Sequence, residues 1–262
     1  MQGFPREPVY LVMTTNAASI ALLASSLLVG CMAADESAAP TNQPGAPLPA
    51  PQGPEVKNPP SFTPETCDDV KAHDKEAKDG DYTLYIQGQA SLPWPAYCHD
   101  MAATPREFLT LPQGAGKNTS MHKGSATSPG SDVVTVYQKV RIDPVALTID
   151  IGDTTFAHST GQLDHAGKQV TSMPFGVAMT CGGVASANID VTGTPFHPED
   201  TFPLVGTAST KGTWKLSTDR KGVDFSIDGT GTDCGFIGAT FPKGTLPVND
   251  TVALSVYLGY QP

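Results

Sequence analysis

One stretch, Val133 to Phe156 (VVTVYQKVRIDPVALTIDIGDTTF), constrains the fold more than any other part of the chain. Val134, Val136, Val140 and Ile142 fall on alternate positions, and Thr135, Tyr137, Lys139 and Arg141 take the opposite face, the period of a half-buried strand. Asp143-Pro144 interrupts the ladder, because Pro144 has a fixed φ and no N–H to donate. A second strand follows, with Leu147, Ile149 and Ile151 inward and Thr148 and Asp150 outward. This predicts a β-hairpin. Its apolar face needs other strands against it, since an isolated hairpin is marginal in water.

The sequence supplies those strands as short runs separated by Gly, Pro, Asn and Asp: DYTLYI, WPAYCHDM, FLTL, FGVAMT, ANIDVTGT, FPLVGTA, TWKLSTD, GVDFSIDG and a last run from Val252 to Tyr260. Ile227-Asp228-Gly229 and Thr232-Asp233 read as turns. A single helix is predicted, with Thr63 as N-cap, Pro64 at its first position, Glu65 in its first turn and Gly80 as its stop. Its apolar stripe is narrow, so Cys67 is expected to fasten it to the sheet. The expected architecture is all-β, a single sandwich or irregular barrel of short strands with one N-terminal helix.

The first 60 residues read differently. Ala17 to Val29 is an apolar run too short to span a bilayer, and it ends in Leu28-Val29-Gly30-Cys31. That tetrad resembles the lipobox of bacterial lipoproteins, which implies cleavage of residues 1–30 as a signal peptide and a lipid on the Cys31 thiol. An ordinary signal peptide, or a buried helix with an unrelated cysteine, is the plainer alternative. Met32 instead of Asp after the cysteine points to the outer membrane or cell surface. Residues 31–60 are rich in Pro and Ala and have almost nothing aliphatic to bury, so they are expected to form a disordered, polyproline-like tether. A Pro-rich ligand for a partner's groove is the other reading. Losing Arg6 and Glu7 with the leader leaves the net charge at −10. That field disfavours nucleic acid and anionic lipid as partners, so attachment to a membrane falls to Cys31.

Cys67, Cys98, Cys181 and Cys234 remain, an even set that an exported chain converts into two disulfides. Sequence leaves all three connectivities open, with Cys67–Cys98 and Cys181–Cys234 preferred as the shorter loops. No C-x-x-C is present, so a cysteine-ligated metal is not expected, and no cofactor is assigned, zinc and calcium being the minor possibilities.

The strings DGDYTLYIQG, YCHDM, PREFLTLP, Asn118-Thr119-Ser120, KVRID, LTIDIGDTTFAHSTG, FGVAMTC and NIDVTGTPF resemble, in order, the GON domain. That module closes some ADAMTS metalloproteases and occurs alone in exported bacterial proteins. The resemblance runs from about Cys67 to about Cys234 and implies a GON-like all-β domain over residues 61–262. In those proteases the zinc chemistry belongs to a separate domain carrying H-E-x-x-H, a motif missing here.

Other candidate sites are weaker. His99-Asp100 beside Cys98 is no thiol-protease pair if Cys98 is oxidised, and a surface histidine is the simpler reading. His158, Asp164, His165 and Asp153 share a loop region and could hold a divalent ion, but without helical i, i+4 spacing. Asp143, Asp150 and Asp153 could line a calcium site, yet fit as turn and outward residues. Ser159, Ser172 and Ser186 lack a G-x-S-x-G context. The expectation is therefore a lipid-anchored extracytoplasmic module without catalytic residues, binding an unknown envelope or extracellular protein or glycan. A hydrolase related to zinc metallopeptidases is the alternative.

Overall fold

The structure, a computed structural model, describes residues 61–198, 202, 204–206, 210–230, 234–238 and 255–262. The leader, the Pro/Ala-rich segment, Cys31 and Thr232-Asp233 lie outside the described residues. In chain order the elements are α1 (Cys67–His73), β1 (Gly80–Tyr85), β2 (Pro93–His99), β3 (Arg106–Thr110), β4 (Thr119–Lys123), β5 (Val133–Tyr137), β6 (Lys139–Asp143), β7 (Thr148–Asp150), β8 (Ala157–Thr160) and β9 (Leu163–His165). There follow β10 (Lys168–Val170), β11 (Val177–Thr180), β12 (Gly183–Asp190), β13 (Phe196–Pro198), β14 (Leu204–Gly206), β15 (Lys211–Leu216), β16 (Gly222–Gly229), β17 (Gly235–Gly238) and β18 (Ser255–Tyr260).

The fold is mostly β, with curled sheets that form a sandwich or half-barrel and one short α-helix among the described residues. A seven-stranded sheet runs β1-β2-β3-β6-β7-β18-β13 and a six-stranded sheet β14-β17-β11-β4-β5-β8; β12-β16-β15 and β9-β10 form smaller sheets. The seven-stranded sheet curls so that its second strand approaches its last. Trp94 on β2 packs edge-on against Phe196 on β13, with ring centroids 5.3 Å apart. Apolar side chains between the layers, among them Leu84, Leu109, Val140, Ile149, Phe175 and Ile189, make one core.

The predicted hairpin is found in part. β6 and β7 pair antiparallel across the Asp143-Pro144 turn, with Ile142 opposite Ile149, and Val140, Ile142, Ile149 and Ile151 are buried. Its first half is corrected twice. β5 belongs to the six-stranded sheet and not to the sheet of β6, the chain crossing between them at exposed Gln138. The phase is also reversed there: Thr135 and Tyr137 are buried, and Val134 and Val136 are half-exposed. Burial of those polar groups is tolerated because each has a partner. Tyr137 donates its hydroxyl to the Met173 carbonyl at 2.6 Å, and Thr135 Oγ1 accepts the Met173 N–H at 2.8 Å.

The helix is shorter than expected and starts later. Thr66, not Thr63, caps it, accepting from the Asp69 N–H while Asp69 accepts from the Thr66 N–H. The Pro64 carbonyl is taken by the Tyr85 N–H at 2.8 Å, which holds that residue outside the helix. Two ties fasten the helix to the sheet: the Cys67–Cys98 disulfide, and the Glu107 carboxylate on β3, which accepts the Cys67 N–H at 2.7 Å. Asp228, read as a turn residue, is an exposed strand residue within β16.

Candidate functional site

Strands β2, β3 and β6 place alternate residues on the outer face of the seven-stranded sheet, and there the rings gather. Half-exposed Tyr97 and His99 on β2 flank half-exposed Phe156, and Phe108 on β3 lies fully buried beneath it; the Phe108–Phe156 and His99–Phe156 centroids lie 4.8 and 5.2 Å apart, both edge-on. Cations border this cluster. Lys139 Nζ stands 4.7 Å from the Tyr97 ring centre, and the Arg106 guanidinium 5.9 Å from that of Phe108, distances at which a ring face attracts positive charge. His99 Nδ1 contacts Asp79 Oδ2 at 2.8 Å. The Met101 and Asp100 backbone N–H groups, followed by His99, hold the Asp79 carboxyl below its usual range. The result is a face of rings bordered by Lys139 and by Arg106, the latter 3.6 Å from Asp153.

A second cluster sits at one end of the six-stranded sheet. His122 on β4, His165 at the end of β9 and Cys181 just after β11 bring one nitrogen or sulfur each within 4.8 Å of one another. Cys181 is bonded to Cys234, which precedes β17, and β17 pairs with β11 through Gly235 and Thr180. Adjacent strands β17, β11 and β4 thus deliver Cys234, Cys181 and His122 to one place. His165 faces them from the β9–β10 hairpin, its ring centre 5.1 Å from that of His122. Its Nδ1 lies 3.0 Å from Ser128 Oγ and 3.5 Å from Cys181 Sγ. His122 is 1% exposed, and neither ring nitrogen has a hydrogen-bond partner among the described residues. Burial, then the neighbouring His165, pushes its pKa down to about 4; burial also lowers that of His165.

Each sequence-derived candidate now has a place. Both preferred disulfides are present, Cys67–Cys98 and Cys181–Cys234. Of the loop set His158, Asp164, His165 and Asp153, His165 alone joins a three-donor cluster among the described residues. The aspartates serve turns: Asp143 accepts the Val145 and Ala146 N–H groups, Asp150 that of Gly152, and Asp153 that of Thr155 while standing 3.6 Å from Arg106. Ser159 pairs with the Thr135 hydroxyl at 2.9 Å, and Ser172 and Ser186 are exposed. His122 was not foreseen. It lies in TSMHK, where no second donor stands at a ligand spacing, so only the pairing of β4 with β11 reveals it.

A disulfide-closed β module carrying a ring-and-cation face is the class of protein these features define. Residues 64–130 match the family model described as GON domain. The match covers the front part of the stretch from Cys67 to Cys234 in which the resemblance was read. The chain is 30% identical over 115 residues to "A disintegrin and metalloproteinase with thrombospondin motifs gon-1" of Caenorhabditis elegans. That alignment covers 36% of this chain and 5% of the relative, so the chain spans a small part of that protein's length. No solved structure gives a significant match.

Proposed function

We propose that this chain is an exported, non-catalytic binding module, cleaved after residue 30, lipid-anchored through Cys31 at the outer membrane or cell surface, and held off the membrane by residues 31–60. Its folded part, residues 61–262, engages an envelope or extracellular protein or glycan through the face around Tyr97, His99 and Phe156. The carrying observation is that Tyr97, His99 and Arg106 of this face, with buried Phe108 beneath them, fall inside the stretch matched as GON domain, while Phe156 and Lys139 lie beyond it. Rings with cations beside them suit a partner presenting sugar faces or anionic groups. Two disulfides accord with an oxidising compartment. The alternative, a hydrolase related to zinc metallopeptidases, draws only on the relative's name, and that relative is matched over 5% of its length.

The test is proximity labelling from the full chain in a bacterial host, comparing the natural sequence with the Tyr97→Ala/Lys139→Ala double variant and with Cys31→Ser. The reading expects a partner set that the double variant loses, and release of Cys31→Ser from the membrane fraction. A partner set indifferent to the face overturns the binding surface. Chelator-sensitive digestion of a peptide library by the purified chain overturns the non-catalytic assignment.

A further inference from the structure

A neutral imidazole carries one donor and one acceptor nitrogen, and burying both without partners costs several kcal/mol, of order 1–3 for each orphaned group. His122 does this at 1% exposure. Beside it stand a second imidazole and the Cys181 sulfur, and Cys181 is bonded to Cys234, so two nitrogens and two sulfurs come from this corner of the fold. Two histidines with two cysteines is the ligand composition that tetrahedral zinc sites use, and soft or borderline cations prefer these donors over oxygen. We propose that His122, His165, Cys181 and Cys234 form a redox-gated site for a divalent cation of the zinc class, whose closed form is the Cys181–Cys234 disulfide.

Geometry favours such a site. Zinc bound at 2.0–2.3 Å to nitrogen and sulfur sets its ligand atoms roughly 3.3–3.8 Å apart. The donor atoms of His122, His165 and Cys181 already lie within 4.8 Å of one another, so about an ångström of closure suffices. Three donors are held by hydrogen-bonded neighbouring strands, whose ladder fixes their spacing. The buried Ser128 hydroxyl, 3.0 Å from Nδ1 of His165, holds that ring in place beside Cys181. The depressed basicity of both histidines leaves their lone pairs free at neutral pH.

The gating step balances as follows. A dithiol reductant passes two electrons and two protons to the Cys181–Cys234 bond and is itself oxidised to a disulfide, leaving two thiols. The cation then binds the two thiolates and two neutral imidazoles and releases the two thiol protons to solvent. Four protein ligands close the coordination sphere. The filled site is therefore structural, without the open position that hydrolysis needs, and it stands or falls independently of the binding-module reading.

The experiment titrates the full chain with Co²⁺, then Zn²⁺, in the oxidised state and after reduction and removal of the reductant under inert gas. The reduced chain is expected to bind one Co²⁺ with thiolate-to-cobalt charge-transfer absorption and tetrahedral visible bands, which Zn²⁺ abolishes; the oxidised chain shows no charge transfer. Cys181→Ser/Cys234→Ser should lose the absorption, whereas Cys67→Ser/Cys98→Ser should keep it. His165→Ala, at a half-exposed site that leaves the core intact, should weaken binding about tenfold or more, the scale on which second-shell losses already act. Absence of charge transfer in the reduced chain overturns the proposal. So does an absorption that survives the Cys181/Cys234 variant, an affinity indifferent to His165→Ala, or a reduced chain that unfolds and is not refolded by Zn²⁺.

Discussion

Tyr260 on β18 donates its hydroxyl to the Pro93 carbonyl at the start of β2, 2.9 Å away, joining residues 167 positions apart in the chain. With the neighbouring Trp94–Phe196 contact, it marks where the seven-stranded sheet curls back on itself. Tyr260→Phe keeps the ring against Phe196, at 5.7 Å between centroids, and loses only a partly solvated hydrogen bond. Its cost in urea unfolding should be about 0.5–1 kcal/mol. Trp94→Ala should cost about 3–5 kcal/mol, as large-to-small core changes do. Trp94→Phe should lie within about 1 kcal/mol of the natural chain, because the lost volume is offset by removal of an indole N–H with no partner among the described residues.

Two glycines with similar backbones make a second, internally controlled prediction. Gly161 (φ +83°) and Gly116 (φ +74°) both occupy the left-handed region, where a Cβ is unfavourable. A Cβ on Gly161 would also run into the Asp132 carbonyl oxygen, whereas one on Gly116 meets nothing within 4 Å. Gly116→Ala should cost about 1 kcal/mol from conformation alone. Gly161→Ala should cost at least twice that, because β8 must move off β5 to admit the methyl. Equal losses in thermal unfolding would show that the Asp132 approach is not a constraint.

Tyr137 tests the reversed phase of β5. If its hydroxyl is committed to the Met173 carbonyl, Tyr137→Phe leaves that buried acceptor without its donor and should cost about 1–3 kcal/mol. Burial raises the Tyr137 pKa well above the usual phenol range, with Asp153 and Asp150 adding to the shift. The ring should therefore resist ionisation in an ultraviolet titration until the chain unfolds. Val136→Thr, on the half-exposed face of the same strand, should change stability by less than Tyr137→Phe. Inward alternation of Val134 and Val136 would reverse that order.

These contrasts mark how far local sequence reaches. The β1 pattern is legible: Tyr82, Leu84 and Ile86 alternate with outward residues, Leu84 and Ile86 being buried. The β6–β7 hairpin is legible too, because Pro144 ends a ladder whatever surrounds it. β5 is not, since Thr135 and Tyr137 become good core residues only through Met173, more than 30 positions later. The role of β18 is half legible: the last run could be an added edge strand or close the sheet, and the strand lies between β7 and β13, in line with the second. The disulfide pairs followed from loop length, but the ring face did not show in the sequence, because Tyr97 and Phe108 come together only when β2 pairs with β3. The His122 cluster could not be foreseen, because its donors come from four separate segments and meet only when β4, β11 and β17 align.

His122 also gives the fold a pH dependence of definite sign. Its folded pKa of about 4 lies below the ordinary histidine value of 6.5. As pH falls through 6.5 the unfolded chain takes up a proton that the folded chain refuses, so stability declines from about pH 6.5 to about 4 and the loss is complete below that. A shift of this size corresponds to roughly 3 kcal/mol. His165, the titratable group facing it, has a lowered pKa and adds in the same direction. Asp79, Asp132 and Asp190, also lowered, contribute losses only further down, as pH falls through the carboxylate range. Glu107, raised by burial, acts oppositely, its contribution being present at low pH and lost as pH rises through its folded pKa. Urea midpoints between pH 7.5 and 5 should therefore fall with pH for the natural chain, and the fall should flatten in His122→Gln. Such a variant pays a fixed penalty at every pH, so the slope and not the absolute stability is the informative quantity. An unchanged slope would place the acid sensitivity elsewhere and leave His122 an ordinary hydrated histidine.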